Sequence, residues 1–463
     1  MFLKCNWKPE HLQYLVIKSN RIQLAVFLIG LLSLVFYSWQ YYQAVESPLL
    51  DSDQSIWVIM TRSPHFPDAF YFYGQNRLGS LLPLLAHGLV LVGLPAIWAI
   101  AVMNLLFQVA AAALYFRISK SAAAAIAIAC LFLLPPWTMY VLNLIGHPYT
   151  SQLLLWLLFG LRMQYLRPGQ LSDLLQVVLL LLLSLWVSDL SVIMLPIAFV
   201  WAIWGKHIRN RRHILIALFS FSIGFVLLML LKNQLPGPRG YFLKFISFEE
   251  LQINLSGLQG LFAYYYHLSG LSRALLIVSG LLFIASFFLG RPTAFSRACL
   301  TYGLLALLLT LASKWVALNS GETRYFAWPF ALLFMAVLSR EYKKLHPSFY
   351  YLPTLLLAGG YATKHIHPGF RPTPDRPSRL EMALLSKEIE KGAVLSDYWS
   401  CYLLAAENPD IVSTQEHLPV RDPWQRNFVL TADSLYLVNV NKPAIWNWGG
   451  KEYVADGPSD QIQ

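Results

Sequence analysis

Two carboxylates, Asp51 and Asp53, open the most polar stretch of this chain, Asp51-Ser-Asp53-Gln-Ser-Ile-Trp57, soon after an apolar run that begins near Ile22. An acid at the rim of an apolar layer is partly desolvated. That raises its basicity and suits it to taking a proton from a hydroxyl. The Asp-x-Asp spacing also lets two carboxylates share a divalent cation, because hard cations take oxygen ligands. The plainer alternative is a solvated loop that happens to hold two acids.

Three further segments carry polar groups beside apolar runs. In Tyr71-Phe-Tyr73-Gly-Gln75-Asn76-Arg77-Leu-Gly-Ser80, the glycines permit a tight turn, and Tyr73, Gln75, Asn76 and Arg77 offer donors and acceptors. Arg77 is equally suited to reaching lipid headgroups along its aliphatic stem. His147 follows Asn143-Leu-Ile-Gly, where a hydrogen-bonded turn residue is as good a reading as a ligand. Lys314 precedes Glu322-Thr-Arg324-Tyr325, and Arg324 stands where a helix begins. A guanidinium there can grip a phosphate with two parallel hydrogen bonds, aided by free helix amides. An Arg–Tyr interfacial anchor would look the same. Arg239 belongs to the same basic set.

The rest of the chain defines what must hold these residues. Of 463 residues, 57% are hydrophobic, only 13% are charged, and the mean hydropathy is +0.50. Soluble domains carry roughly 25% charged residues, so most of this surface faces something other than water. Runs such as 174–187, 214–231 and 274–289 hold no charge, and about 20 apolar residues suffice for a helix to cross a bilayer. The net charge of +11 resides in short loops between these runs, which makes it a topology signal and speaks against a nucleic-acid partner. Cys5, Cys130, Cys299 and Cys401 are far apart in sequence, without metal or disulfide spacing.

Placing the basic loops on the cytoplasmic side yields a topology. Lys4, Lys8, Lys18 and Arg21 put the N-terminus inside, and a first helix at 22–43 acts as a signal anchor. The first outer loop, 44–96, ends in a short apolar segment at 79–95. If that segment spanned, every later basic loop would fall outside. It is therefore expected to lie flat at the outer interface. Further spans are expected at 97–116, 121–138, 149–166, 170–187, 189–205, 213–232, 273–289, 297–313, 325–340 and 348–362, with 233–272 an outer loop. The expected fold is an all-α polytopic membrane protein. It has about eleven transmembrane helices plus outer-face interfacial helices. The transmembrane part occupies 1–362, and a small α/β extracytoplasmic C-terminal domain occupies 363–463. Within that domain the sequence predicts helices at 378–389 and 397–405 and strands from Ala393, at 428–431 and at 435–440.

This pattern resembles the C-type integral membrane glycosyltransferases, which use polyprenyl-phosphate sugars. The nearer resemblance is to bacterial relatives of the protein mannosyltransferases and of the lipid A aminoarabinose transferase. Asp51-Ser-Asp53 is similar to the family's first-loop acid motif. Tyr73-Gly-Gln-Asn-Arg-Leu-Gly-Ser-Leu81 is similar to a "YGQxYMGSLE"-like stretch, with Arg77 replacing an aromatic and Pro83 an acid. Glu322-Thr-Arg-Tyr-Phe-Ala-Trp-Pro329 is similar to an "RYxxP" helix start, and Ser396-Asp-Tyr-Trp-Ser-Cys-Tyr402 to an "ADYWxAY" stretch.

The resemblance implies a polyprenyl-phosphate-linked sugar donor, a lipid, glycan or protein acceptor, and surrounding membrane lipids as partners. It implies the inner membrane of a bacterium, with the C-terminus extracytoplasmic. Asp51 or Asp53 would act as general base in an inverting transfer. Arg324, with Lys314 or Arg239, would hold the leaving phosphate, and Tyr265 among the tyrosines 264–266 would face sugar or lipid. Two other classes fit the same composition. A lipid-linked glycan flippase should show inverted repeats and midplane polar residues, whereas this sequence shows no repeat and few charges within its apolar runs. An O-antigen polymerase or ligase would place its chemistry in a large late outer loop.

Overall fold

The computed structural model describes residues 21–36, 52–73, 78–133, 148–167, 170–204, 211–234, 246–266, 281, 284–285, 287–318, 323–341, 379–389, 391–396, 398–415, 425, 428–429, 431–432, 435–439 and 442–448. Among these, helix dominates. The helices used below are α1 (Arg21–Phe36), α2 (Ser52–Arg62), α3 (Leu81–Leu91), α4 (Ala96–Ser119), α5 (Ala122–Leu133), α6 (Pro148–Gln164), α7 (Leu171–Val187), α8 (Met194–Trp204), α9 (Arg211–Gln234), α10 (Phe248–Tyr266), α11 (Ala294–Leu311), α12 (Lys314–Leu318), α13 (Ala327–Leu338), α14 (Arg379–Ile389) and α15 (Tyr398–Glu407). Among the described residues, three helices, Ala96–Ser119, Arg212–Gln234 and Ala294–Leu311, are long and apolar enough to cross a bilayer. They mark a membrane-type helical protein. The apolar segment expected to lie flat forms the 11-residue α3, about 16 Å long and roughly half a hydrocarbon core. Gly93, at φ +98, turns the chain from α3 toward α4.

An aromatic cluster holds the bundle together. The Trp156 ring lies 5.6 Å from Phe159, 5.9 Å from Phe295 and 5.0 Å from Tyr302, and Tyr302 meets Trp328 edge-on at 5.8 Å. These rings tie α6 to α11 and α13. Between α4 and α5 the buried residues are mostly alanines, including Ala111, Ala112, Ala124, Ala125 and Ala127. Small side chains let helix backbones approach where apolar solvent provides no hydrophobic drive.

Polar contacts gather at the two ends of the bundle. At one end the Gln23 Oε1 accepts the Ala122 N–H, and Tyr115 shares a hydrogen bond with Ser339. Arg340 there donates to the Gly290 carbonyl, and Arg117 stacks over Tyr165. Asp173, fully buried, receives Arg162 and Arg167 at this same end. At the other end, Gly79 N–H donates to the Val187 carbonyl, Lys232 pairs with Asp189, and Lys314 pairs with Glu250. Among the described residues, Arg117, Arg162, Arg167 and Arg340 thus share one end and the first-loop residues lie at the other.

The C-terminal unit is a four-stranded sheet of β1 (Gly392–Ser396), β2 (Ile411–Gln415), β3 (Leu435–Asn439) and β4 (Lys442–Trp448), in the order β2-β1-β3-β4. β1 runs parallel to β2 and β3, and β4 is antiparallel to β3. The helix α15 makes the crossover from β1 to β2, the connection that parallel neighbours require.

The structure departs from the sequence expectations at several points. The stretch 233–272, expected as a loop, contains the 19-residue α10. Its first turn holds Glu249 and Glu250, a favourable placement at a helix N-terminus. Phe428 and Val429, expected in a strand, are helical. β2 and β4 are additional. The expected span at 348–362 and the linker that follows it lie outside the described residues.

Gly79 brings the first loop hard against the bundle. A Cβ at this position would stand 2.4 Å from the Trp186 carbonyl oxygen and 2.7 Å from its carbon. Backbone cannot yield as a side chain can, so Gly79→Ala is expected to cost about 1–3 kcal/mol. Gly88→Ala serves as the control, because nothing lies within 4 Å of its would-be Cβ. A lower Tm for the first variant but not the second is the expected result. Equal melting of Gly79→Ala and wild type would contradict the close approach.

Candidate functional site

The site is built on α2. Asp53 stands in its first turn and is half-buried, with Gln54 through Thr61 buried behind it. A helix buried on every side needs neighbours all round. Here α3 and α4 cover it from the bundle, and α15 covers it from the C-terminal unit. Trp57 packs on Phe72 with ring centroids 5.0 Å apart.

The C-terminal end of α2 is fastened on two sides. Arg62 donates from Nη1 to the Ala405 carbonyl at 2.7 Å and from Nη2 to the Ala406 carbonyl at 2.6 Å. Burial pulls its pKa below the usual arginine value, and the nearby carboxylates of Glu407 and Asp410 oppose that shift. The Thr61 carbonyl lies 2.9 Å from His87 Nδ1 on α3.

The chain then turns through 63–70. The Tyr73 hydroxyl accepts from the His65 N–H at 3.1 Å and donates to the Ser63 carbonyl at 3.2 Å. Burial holds the His65 pKa below its ordinary value, with Asp68 working against it, and burial likewise raises Asp68. Tyr71 bridges Gly79, and the Phe72 N–H donates to the Leu78 carbonyl at 2.7 Å. Trp186 Nε1 donates to the Phe70 carbonyl at 2.8 Å, which seats this turn on the end of α7. Next to it, Lys232 Nζ lies 2.6 Å from Asp189 Oδ1. Burial, and secondarily the Asp189 charge, raise the Tyr71 phenol well above its usual range.

A second polar group surrounds α10. Lys314 Nζ pairs with Glu250 at 3.0 Å. The Ser247 N–H and Lys314 together hold the Glu250 carboxyl below its ordinary pKa. Asn254 donates to the Leu311 and Ser313 carbonyls at 2.8 and 3.0 Å, capping the end of α11. Leu258 packs beside Val316, Phe326 and the half-buried Tyr325.

The predicted site residues are therefore distributed as follows. Asp53 and Tyr73 belong to the α2 region, where Tyr73 is buried and its hydroxyl ties the loop together. Lys314 and Tyr325 belong to the α10 region. Tyr265 lies in the last turn of α10, and Arg324 lies in the short helical turn Thr323–Phe326. Asp51, Gln75, Asn76, Arg77, His147 and Arg239 lie outside the described residues. Among the described residues, no group of three His, Cys, Asp or Glu is arranged to hold a metal ion. Sequence reasoning put Arg62, His87 and Lys232 on the outer side but did not single out these three, or Asp189, as site residues. An acid inside an apolar run, as at Asp189, was the available signal. Nothing local reveals the roles of Arg62 and His87, because their partners are 343 and 26 residues away.

No protein-family model matches the sequence, and no curated protein matches it significantly. Two structures of the Archaeoglobus fulgidus oligosaccharyltransferase are similar in shape. One is tethered to an acceptor peptide containing the NVT sequon through a disulfide bond, with 11% identity over 86% of this chain and a TM-score of 0.43. The other, in complex with Zn and sulfate, has 14% identity over 84% of this chain and a TM-score of 0.42. This chain spans 64% and 62% of the length of those two chains. Likeness at that level does not define a shared activity.

Proposed function

We propose that the chain is a membrane glycosyltransferase of the C-type superfamily. It transfers a sugar from a polyprenyl-phosphate donor to a lipid, glycan or protein acceptor at the outer face of a bacterial inner membrane. One observation carries the reading: Asp53 occupies the first turn of a helix whose remaining residues are buried between the bundle and the C-terminal unit. A general base must be held firmly, and α2 is held along its length. Lysine and arginine favour the cytoplasmic side. The end bearing Arg117, Arg162, Arg167 and Arg340 is then cytoplasmic, and the α2 end faces out.

In this reading an acceptor hydroxyl gives its proton to a carboxylate of the first loop, Asp53 or Asp51. Its oxygen attacks the anomeric carbon from the face opposite the leaving group. The new glycosidic bond forms as the bond to the phosphate oxygen breaks, polyprenyl phosphate departs with that electron pair, and the configuration inverts. Negative charge grows on the phosphate, where positive groups stabilise the transition state most. Arg324 takes that role, with Lys314 or Arg239. The Lys314 side chain is 44% exposed beside Glu250, so a phosphate can reach it.

The test is purified protein in lipid nanodiscs with a panel of polyprenyl-phosphate sugars and hydroxyl acceptors. Release of polyprenyl phosphate with formation of an inverted glycoside is expected for one donor. Translocation of intact donor without glycosidic cleavage, or no turnover of any donor in cells and in vitro, would overturn the reading.

A further inference from the structure

Two helix C-termini meet at Arg62. α2 ends at this residue and α15 ends at Glu407. The last carbonyls of each helix have no partner within their own helix, and each terminus carries partial negative charge. Bringing two such ends together is unfavourable unless a cation and several donors lie between them. Arg62 provides both. Its guanidinium belongs to the last turn of α2, and its two Nη groups reach the Ala405 and Ala406 carbonyls at 2.7 and 2.6 Å. A planar fork with donors at fixed spacing suits two adjacent carbonyls in a way an ammonium does not. The carboxylates of Glu407 and Asp410 add to the charge it answers. On the opposite side, His87 of α3 meets the Thr61 carbonyl.

The consequences run along α2. Eleven helical residues form a rigid rod of about 16 Å. One end is fastened at Arg62, and the other carries Asp53. The intervening side chains are buried against α15 and the bundle.

We propose that Arg62 is a positioning residue: it clamps the first-loop helix to the C-terminal unit and thereby sets where Asp53 stands. The C-terminal unit is then part of the apparatus that presents the first-loop acid, and not an appendage. What Asp53 does rests on the function proposed above; the clamp does not.

The experiment uses the full chain in nanodiscs as wild type, Arg62→Gln and Arg62→Lys. Amide hydrogen exchange is followed in 52–62, 398–407 and 294–311, and kcat and donor KM are measured on the same samples. For Arg62→Gln, exchange in the first two segments is expected to accelerate at least tenfold while 294–311 keeps its wild-type protection. The kcat should fall about 100-fold, the scale of a roughly 1 Å misplacement, with donor KM nearly unchanged. Arg62→Lys, which keeps the charge and loses the fork, should fall between, and it carries the comparison if the glutamine variant does not accumulate.

Wild-type protection of α2 and α15 in Arg62→Gln would overturn the clamp. Faster exchange with unchanged kcat would overturn the positioning role. A wild-type protein that turns over no donor refutes the glycosyltransferase reading instead, and the exchange data alone then decide the clamp.

Discussion

Asp53→Asn is expected to lower kcat for sugar transfer by about 100-fold or more, the contribution typical of a general base. The carboxamide has the same shape and cannot accept the acceptor's proton. Because the substitution preserves volume at a half-buried position in the first turn of α2, folding and donor KM should stay close to wild type. Loss of kcat without loss of binding is the mark of an interaction made in the transition state. Asp51→Asn separates the two carboxylates. If it is the inactive variant and Asp53→Asn turns over normally, the base is Asp51. Wild-type kcat in both would eliminate a first-loop base altogether. The measurement is single-turnover release of polyprenyl phosphate, which keeps chemistry apart from product departure.

The largest effect on stability is expected at the opposite end of the bundle. The Asp173 carboxylate is fully buried. It accepts from Arg162, from Arg167 Nε and Nη2 at 3.1 and 3.0 Å, and from the Arg167 N–H at 2.9 Å. Asp173→Ala leaves the Arg162 guanidinium, whose side chain is only 22% exposed, without its counter-charge. Removing one partner of a buried pair costs about 3–5 kcal/mol. The lower part of that range is expected, because the Arg167 side chain is 66% exposed and water can replace much of what it loses. Asp173→Asn keeps one acceptor and should cost less. Thermal unfolding in detergent tests the order, wild type above Asp173→Asn above Asp173→Ala. A melting temperature unchanged in the alanine variant would show that the carboxylate holds nothing. At permissive temperature the kcat of Asp173→Asn should remain near wild type, since the change lies far from the α2 end. Asp53 and Asp173 thus make opposite predictions, one for chemistry and one for stability.

Much of this organisation was legible in local composition. The shortage of charge, the apolar runs and the basic loops are properties of neighbouring residues, so a linear reading finds them. The helices near 97–116, 149–166, 170–187 and 297–313 were readable because an apolar run of helical length has few other ways to satisfy its backbone in lipid. α10 was harder. Its sequence, with Glu249, Glu250, Asn254 and Gln259 among apolar residues, reads as a polar outer stretch until α11 and α12 provide something to dock on. β2 and β4 were missed for comparable reasons. β2 contains Ser413 and Thr414, and both are buried only because the unit folds over them. β4 contains Pro443, which argues against a central strand and is tolerated at the edge of the sheet, where β4 lies.

Linear sequence is enough to make the chain apolar enough for a bilayer, to segregate its positive charge into particular loops, and to set acids after the first apolar run. Those facts depend on residue type and spacing alone. The tertiary structure decided which groups share a site. Arg62 caps a helix more than three hundred residues away, Gly79 admits the backbone of Trp186, and Asn254 ends α11. These contacts satisfy groups that every helix end and close backbone approach leaves unpaired. Any of several polar residues could meet such a need, and only the packing of the bundle against the C-terminal unit selects which one does.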